Sequence, residues 1–321
     1  MQKVLARYYY NNLKPNEKSA YRCIKHALIN FKRQIYFPYV SNVYKVIEAV
    51  RWDCPHLFYV NWMTVLHKVE FLSDGRIQIT VPYLYKKAVI KKMMQQIRSE
   101  VAQFKSINNP FTLALKVHDY LVNSVVYDKG DLSFGGFKYR NHNMAGAIIG
   151  KSAVCEGIAK AYQFILNLYG VDCMTVVGKT KTNGITDTGL HAWNILSLNG
   201  ENYQVDVTWD LAKDICGEKR TDYAYFLIDD KTAQIDHEHK LKVVSNGKSQ
   251  NIYRLTNRYI TEEKQLKNFL NDLKTNKGVL ARLDGISKQT VDFSVNLYAI
   301  KKYKCCQWIQ FPTGVLYVKF Y

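Results

Sequence analysis

The sequence is most restrictive in what it lacks. No apolar run comes near the roughly 20 residues that a bilayer-spanning helix needs. The opening residues Met1-Gln2-Lys3-Val4-Leu5-Ala6-Arg7-Tyr8 contain no apolar stretch of the secretory type. The expected location is therefore cytoplasmic, or secreted if a signal peptide has been removed. Cysteine is sparse and irregular: Cys23, Cys54, Cys155, Cys173, Cys216, Cys305 and Cys306. An odd number without framework spacing argues against a disulfide-built scaffold and favours a reducing compartment. Cys305 and Cys306 fall on opposite faces of a strand, which argues against a joint metal or redox role. Acidic residues are few, 27 against 45 Lys and Arg, for a net charge of +18. That balance leaves an acidic polymer open as a partner. The 24 tyrosines and the dispersal of the lysines match a codon bias toward Lys, Asn, Ile and Tyr instead. No combination of aromatic and basic residues marks a nucleic-acid module. Internal repeats and low-complexity tracts are absent.

What is present suits an ordinary folded chain. Hydrophobic residues make up 47% and charged residues 22% of 321 positions, enough for two or three domains and too apolar for disorder. Residues 16 to 36 read as an amphipathic helix carrying Tyr21, Ile24, Leu28 and Phe31. Val69 and Phe71, then Ile77, Ile79 and Val81, alternate around Ser73-Asp74-Gly75, the pattern of a hairpin. Helical spacing returns at 86 to 104. Asn108-Asn109-Pro110 breaks it and marks a domain boundary. A helix over 111 to 126, a Gly- and Asn-rich loop over 129 to 146 and a helix over 155 to 169 follow. Strands are expected at 174–180, 190–198 and 202–209. Beyond residue 240 the chain reads as helix, strand, helix and hairpin (261–273, 279–283, 288–300, 307–320). The expected organisation is an N-terminal α+β region (1–108), a core (109–240) and a small C-terminal α+β domain (241–321).

The chemistry gathers in the core. Counting from Cys155 in steps of three and four gives Ile158, Ala159, Tyr162, Ile165, Leu166 and Tyr169, a continuous apolar stripe. Glu156, Lys160, Gln163 and Asn167 turn away from it. Cys155 thus opens a buried helix, where unpaired amides and the positive dipole end stabilise a thiolate and can hold an oxyanion. Asn199-Gly200 lies between two alternating segments, a strong hairpin signal. With a two-residue loop, Leu198 pairs with Glu201 and His191 with Thr208. One face then carries Ala192, Asn194, Leu196 and Leu198 against Tyr203, Val205, Val207 and Trp209. The other, more polar face carries His191 and Trp193 against Gln204, Asp206 and Thr208. In this register His191 and Asp206 are diagonal neighbours; a three-residue loop would separate them. Cys155 is the candidate nucleophile, His191 its proton acceptor and Asp206 the group that orients the imidazole.

The segments VCEGIAKAYQFILNLYGV, GLHAWNILSLNGENYQVDVTWD and YFLIDD, in this order, resemble the core of the transglutaminase-like superfamily. The resemblance runs from Phe111 to His239. It implies an α+β, papain-like fold in which the nucleophile helix packs on an antiparallel sheet, flanked here by the two α+β appendages. It also implies Cys155, His191 and Asp206 as catalytic residues acting on a protein or peptide substrate. The chain departs from bacterial members at Ala145, where an aromatic is common, and at Ile158, where a tyrosine is common. Trp193, Tyr139 and His142 are the candidates for the substrate cleft. Hydrolysis of peptide or isopeptide amides is the expected activity. Transfer of the acyl group to an amine, and a non-catalytic binding role, are the alternatives. His237-Glu238-His239 has no third ligand in view, and Asp229-Asp230 and Asp128 to Asp131 are too sparse for a calcium loop, so no metal and no cofactor are expected. His118 reads as structural.

Overall fold

A computed structural model describes residues 5–132, 139–182, 185–186, 189–274, 276–302 and 305–321. Helix α1 (Pro15–Ile29) starts on a proline, whose missing N–H costs nothing at that position, and Glu17 reaches back to accept the Lys14 N–H at 2.8 Å. It stops at Ile29 rather than continuing to residue 36. Phe31 adopts a left-handed φ of 56°, and the chain reverses into strand β1 (Gln34–Pro38). Ile35 and Phe37 point inward there while Gln34 and Tyr36 point outward, a period of two that overrides the helical spacing read from the residues before it. Helix α2 (Val43–Asp53) is capped by Asn42 and buries Val43, Val46, Ile47 and Val50. The expected hairpin forms from β2 (Val69–Phe71) and β3 (Arg76–Thr80), and β1 adds to its free edge. Helices α3 (Lys87–Val101) and α4 (Pro110–Ser124) follow, the latter capped by Asn109, whose Oδ1 accepts the Thr112 N–H.

A two-stranded parallel pair, β4 (Val126–Tyr127) with β5 (Ser152–Ala153), leads into helix α5 (Cys155–Leu168). Next comes an antiparallel sheet built from β6 (Asp172–Thr182), β7 (Ile185–Thr186), β8 (His191–Leu198) and β9 (Glu201–Val205). After a small hairpin, β10 (Lys213–Ile215) with β11 (Glu218–Arg220), the short strand β12 (His237–Glu238) returns to the sheet's far edge. The order is β12–β6–β8–β9, with β7 pairing only with β6. The C-terminal unit holds β13 (Tyr259–Ile260), α6 (Glu263–Asn271), β14 (Val279–Leu283), α7 (Lys288–Lys302), β15 (Cys306–Gln310) and β16 (Val315–Phe320), in sheet order β13–β14–β16–β15.

This is the α+β architecture expected from the sequence: helix α5 lies on one face of the antiparallel sheet. Ile158, Tyr162 and Ile165 join Cys173, Leu196, Leu198 and Val205 in one apolar cluster. That cluster runs from Leu13 to Leu227, so α1, α2, α3 and α4 share it. The reverse face of the sheet, the more polar one by the alternation, is also covered. Met174, Val176, Trp193 and Ile195 pack under Leu5, Tyr8, Tyr9, Leu241 and Val243. Burying such side chains contributes about 1.5–3 kcal/mol each. Asp172 fastens the N-terminal segment by accepting the N–H groups of Leu5 (2.9 Å) and Ala6 (2.7 Å). The C-terminal unit has its own apolar cluster and meets the core where Ile215, Ala224 and Tyr225 pack on Leu280, Val315 and Tyr317. Buried Arg282 bridges the two, donating to the carbonyls of Thr313 (2.8 Å) and Ala224 (2.5 Å). Among the described residues no helix is long and apolar enough to cross a membrane.

Candidate active site

The site is set by where α5 begins. Val154 is extended and its own side chain cannot cap the first turn of the helix. The strand pair β4–β5 lays Tyr127 opposite Ala153, two residues before Cys155. The Tyr127 phenol meets Cys155 twice, at its backbone N–H and at its thiol. Burial first, and then the neighbouring thiol, push the phenol's proton affinity up. The loop before α5 closes on the helix at Gly157, where a Cβ would lie 2.3 Å from the Asn141 carbonyl oxygen. No larger residue fits at this approach.

The hairpin supplies the other two groups. Asn199 and Gly200 form the two-residue turn, with φ of 52° and 86°. The pairs Leu198↔Glu201 and Asn194↔Val205 fix the register that lets His191 and Asp206 meet. His191 Nε2 stands 2.6 Å from Asp206 Oδ2. The ring also meets the Cys155 side chain. Burial alone would depress the imidazole's affinity for a proton, but Asp206 and the thiol lift its pKa to about 10. Asp206 is also buried, which disfavours its charge. His191 and His237 outweigh that and hold the carboxyl well below the usual carboxylate range. Asp206 Oδ1 accepts the backbone N–H groups of Thr208 (2.8 Å) and Trp209 (3.1 Å).

The strand expected to reach residue 209 stops at Val205, and residues 207–210 turn. The turn supplies those two N–H groups. It also lifts Trp209 off the core face and against the site, with its ring centroid 4.5 Å from that of His237 and 5.9 Å from that of His191. Trp193, expected at the cleft, is 1% exposed. It stacks behind His191 at 5.9 Å and donates its indole N–H to Gln204 at 2.7 Å. Tyr139 and His142 line a shallow hollow with Arg51, Trp62 and Glu156, and Cys155 is not among its lining residues. Part of the loop expected over 129–146, residues 133–138, lies outside the described residues.

The polar side of α5 differs from its expected outward orientation. Glu156, Lys160 and Gln163 are buried against α2. Glu156 pairs with Arg51 (2.8 Å), Lys160 (2.7 Å) and His142 (3.2 Å). Burial opposes its ionisation, yet Lys160 and Arg51 hold the carboxyl well below the usual range. Gln163 donates to the Trp52 carbonyl. His118 is buried beside Asp210 (3.2 Å) and Asp119 (3.3 Å), away from the thiol, as a structural histidine would be.

Two neighbours of the site escaped the sequence reading. Tyr127 belongs to a two-residue strand too short for any periodicity. In the sequence His237 suggests only a metal motif with Glu238 and His239, but in the fold it is a direct partner of Asp206, with Nε2 to Oδ2 at 3.0 Å. Among the described residues, His191, Asp206 and His237 have donor atoms within 4.8 Å of one another, close enough to hold a metal ion. All three donor atoms are engaged in the imidazole–carboxylate contacts just described.

Residues 98–207 match the family model of the transglutaminase-like superfamily. Solved structures similar to this chain include a candidate cysteine protease from Cytophaga hutchinsonii, at 14% identity over 44% of this chain and 60% of that one, with a TM-score of 0.28. A protein described as a TGase is similar at 13% identity over 67% of this chain and 58% of that one, with a TM-score of 0.34. The periplasmic domain of TgpA from Pseudomonas aeruginosa is similar at 14% identity over 44% of this chain and 63% of that one, with a TM-score of 0.28. The chain thus spans about three-fifths of the length of these proteins. No curated protein matches it.

Proposed function

We infer that this chain, which carries a transglutaminase-like domain over residues 98–207, is a cysteine hydrolase that cleaves peptide or isopeptide amides through an acyl-enzyme. One observation carries the reading. A buried imidazole bonds a carboxylate through one nitrogen, at 2.6 Å, and also meets the side chain of a cysteine at a helix start.

The steps follow from that arrangement. His191 Nδ1 takes the Cys155 thiol proton, and the sulfur attacks the amide carbon. The carbonyl π pair moves to oxygen, between the Cys155 N–H and the Tyr127 hydroxyl, which serve as its donors. As the intermediate collapses, the C–N bond breaks and His191 passes its proton to the departing amine. Water then gives a proton to His191 and attacks the thioester. The C–S bond breaks, the acid leaves and the thiol regains its proton. Asp206 holds His191 with Nε2 protonated throughout. An amine taking the place of water turns the same enzyme into a transferase.

A protein or peptide is the proposed substrate. The seven unpaired cysteines support a reducing compartment. The test is labelling by a thiol-reactive acyl probe, with Cys155→Ala as control. Loss of labelling in the variant is expected, and labelling that persists there refutes the reading. A glutamine peptide offered with a labelled amine then separates the acceptors: hydrolysis without amine incorporation is expected.

A further inference from the structure

Asp206 has a second imidazole. His237, carried into place by the pairing of β12 with β6 at Thr180, points Nε2 at the same Oδ2 that bonds His191, at 3.0 Å. Its Nδ1 lies 2.6 Å from Asp236 Oδ1, and the Tyr225 hydroxyl donates to the other oxygen of Asp236. A neutral imidazole has a single N–H. With a carboxylate oxygen at each nitrogen, a neutral ring would press a lone pair against one of them. Both nitrogens of His237 therefore donate, and the ring is an imidazolium.

The groups facing it from each packed element are Asp206 and His191 from the hairpin, Tyr225 from the loop after β11 and Asp236 beside it. The rings of Trp193 and Trp209 wall it at 5.0 and 4.5 Å. Its own exposure is 4%, so water does not screen its charge.

We propose that His237 is a positioning residue: a cation held between Asp206 and Asp236 that pins the Asp206 carboxylate and takes a share of its charge away from His191. The proposal rests on the cysteine-nucleophile reading for its consequence, and on geometry alone for the protonation of His237. The two imidazole rings are 5.6 Å apart, centre to centre. Removing a buried cation at that range makes the thiolate harder to form and the His191 proton harder to lose. Both limbs of a rate–pH profile then move toward alkaline pH, by on the order of 1 to 2 pH units. Nearby carboxylates that lose their counter-ion push the same way.

The experiment has two arms on the full chain. In the first, ¹⁵N NMR of the histidine side chains at neutral pH shows two protonated ring nitrogens on His237; a single one overturns the proposal, and no variant needs to fold for this result. In the second, alkylation of Cys155 by iodoacetamide is followed by mass spectrometry across pH for the parent, His237→Phe and His237→Gln. His237→Phe removes both donors; its profile moves up and its maximal rate falls about 10- to 100-fold. His237→Gln keeps an N–H for Asp206 without the charge; its profile also moves up, but most of the maximal rate returns. A purely packing role for His237 lowers rates without moving the profile, so variant profiles that superimpose on the parent overturn the proposal. Failure of the underlying reading looks different: Cys155 in the parent reacts no faster than exposed Cys305 at every pH, whatever the NMR shows for His237.

Discussion

Replacing Asp206 by Asn tests the site where its hydrogen bonds leave no freedom. The carboxylate accepts four donors: two backbone N–H groups on Oδ1 and two imidazole nitrogens on Oδ2. An asparagine of the same shape must keep its carbonyl oxygen toward the two backbone donors. Its NH₂ then faces both rings, and each Nε2 has to accept. For His191 this moves the ring proton to Nδ1, the nitrogen that should receive the thiol proton. The expected loss in acylation rate is on the order of a thousand- to ten-thousand-fold. Stability also falls, by about 3–5 kcal/mol, because breaking one side of a buried pair strands the other. The pH dependence carries a sign. In the folded chain the His191 pKa is raised to about 10, above its unfolded value of about 6.5. The stabilisation from this pair is therefore complete below about pH 6.5 and lost as pH rises toward 10. Urea midpoints of the parent should decline across that window, and those of Asp206→Asn should not. Single-turnover labelling with an acyl probe measures the rate, and near-UV circular dichroism checks the fold. A folded Asp206→Asn protein within tenfold of the parent rate refutes the tautomer argument.

Three further outcomes are expected. Tyr127→Phe removes the phenol that meets the Cys155 N–H and thiol; acylation should slow about 100- to 1,000-fold, and an unchanged rate would place the oxyanion elsewhere. Glu156→Gln leaves Arg51, Lys160 and His142 around a neutral amide, costing about 3–5 kcal/mol in urea unfolding. Because the folded Glu156 carboxyl sits below the usual range, its contribution is present above about pH 4.3 and fades as pH falls; the variant should lack that acid slope. Gly178→Ala puts a Cβ 2.1 Å from the Glu238 carbonyl oxygen and 2.5 Å from the Trp193 ring. It should cost about 1–3 kcal/mol and alter the near-UV signal of the tryptophans as β12 is forced off β6. A variant as stable as the parent would show that this edge pairs loosely.

The sequence was legible where local chemistry and packing agree. Asn199-Gly200 permits the left-handed backbone a two-residue turn needs, and that turn fixes the pairing of β8 and β9. Cys155 was legible through the apolar stripe behind it. Legibility ended wherever a neighbour comes from far along the chain. Glu156 and Lys160 read as solvent-facing because helical periodicity cannot show α2, about a hundred residues earlier, covering them. Trp193 read as a cleft residue because nothing in β8 announces that Leu5 and Tyr9 close over its face. His237 was judged by its sequence neighbours, but it acts across the sheet, 31 positions from Asp206. The end of α1 at Ile29 turned on one left-handed residue, Phe31, a conformation that composition does not signal.

The N-terminal clasp on Asp172 bears on how this protein can be cut. The matched segment, residues 98–207, contains Cys155, His191 and Asp206, yet it leaves out much of what keeps them dry and in place. Trp193, which backs His191, is sealed by Leu5, Tyr8 and Tyr9 and by Leu241 and Val243. Glu156 finds its Arg51 on α2, and His237 lies past the segment's end. A fragment trimmed to the family boundaries would keep α5 on the sheet but wet the reverse face and the buried polar side of α5. A piece meant to keep this arrangement has to reach at least from the clasp to Val243.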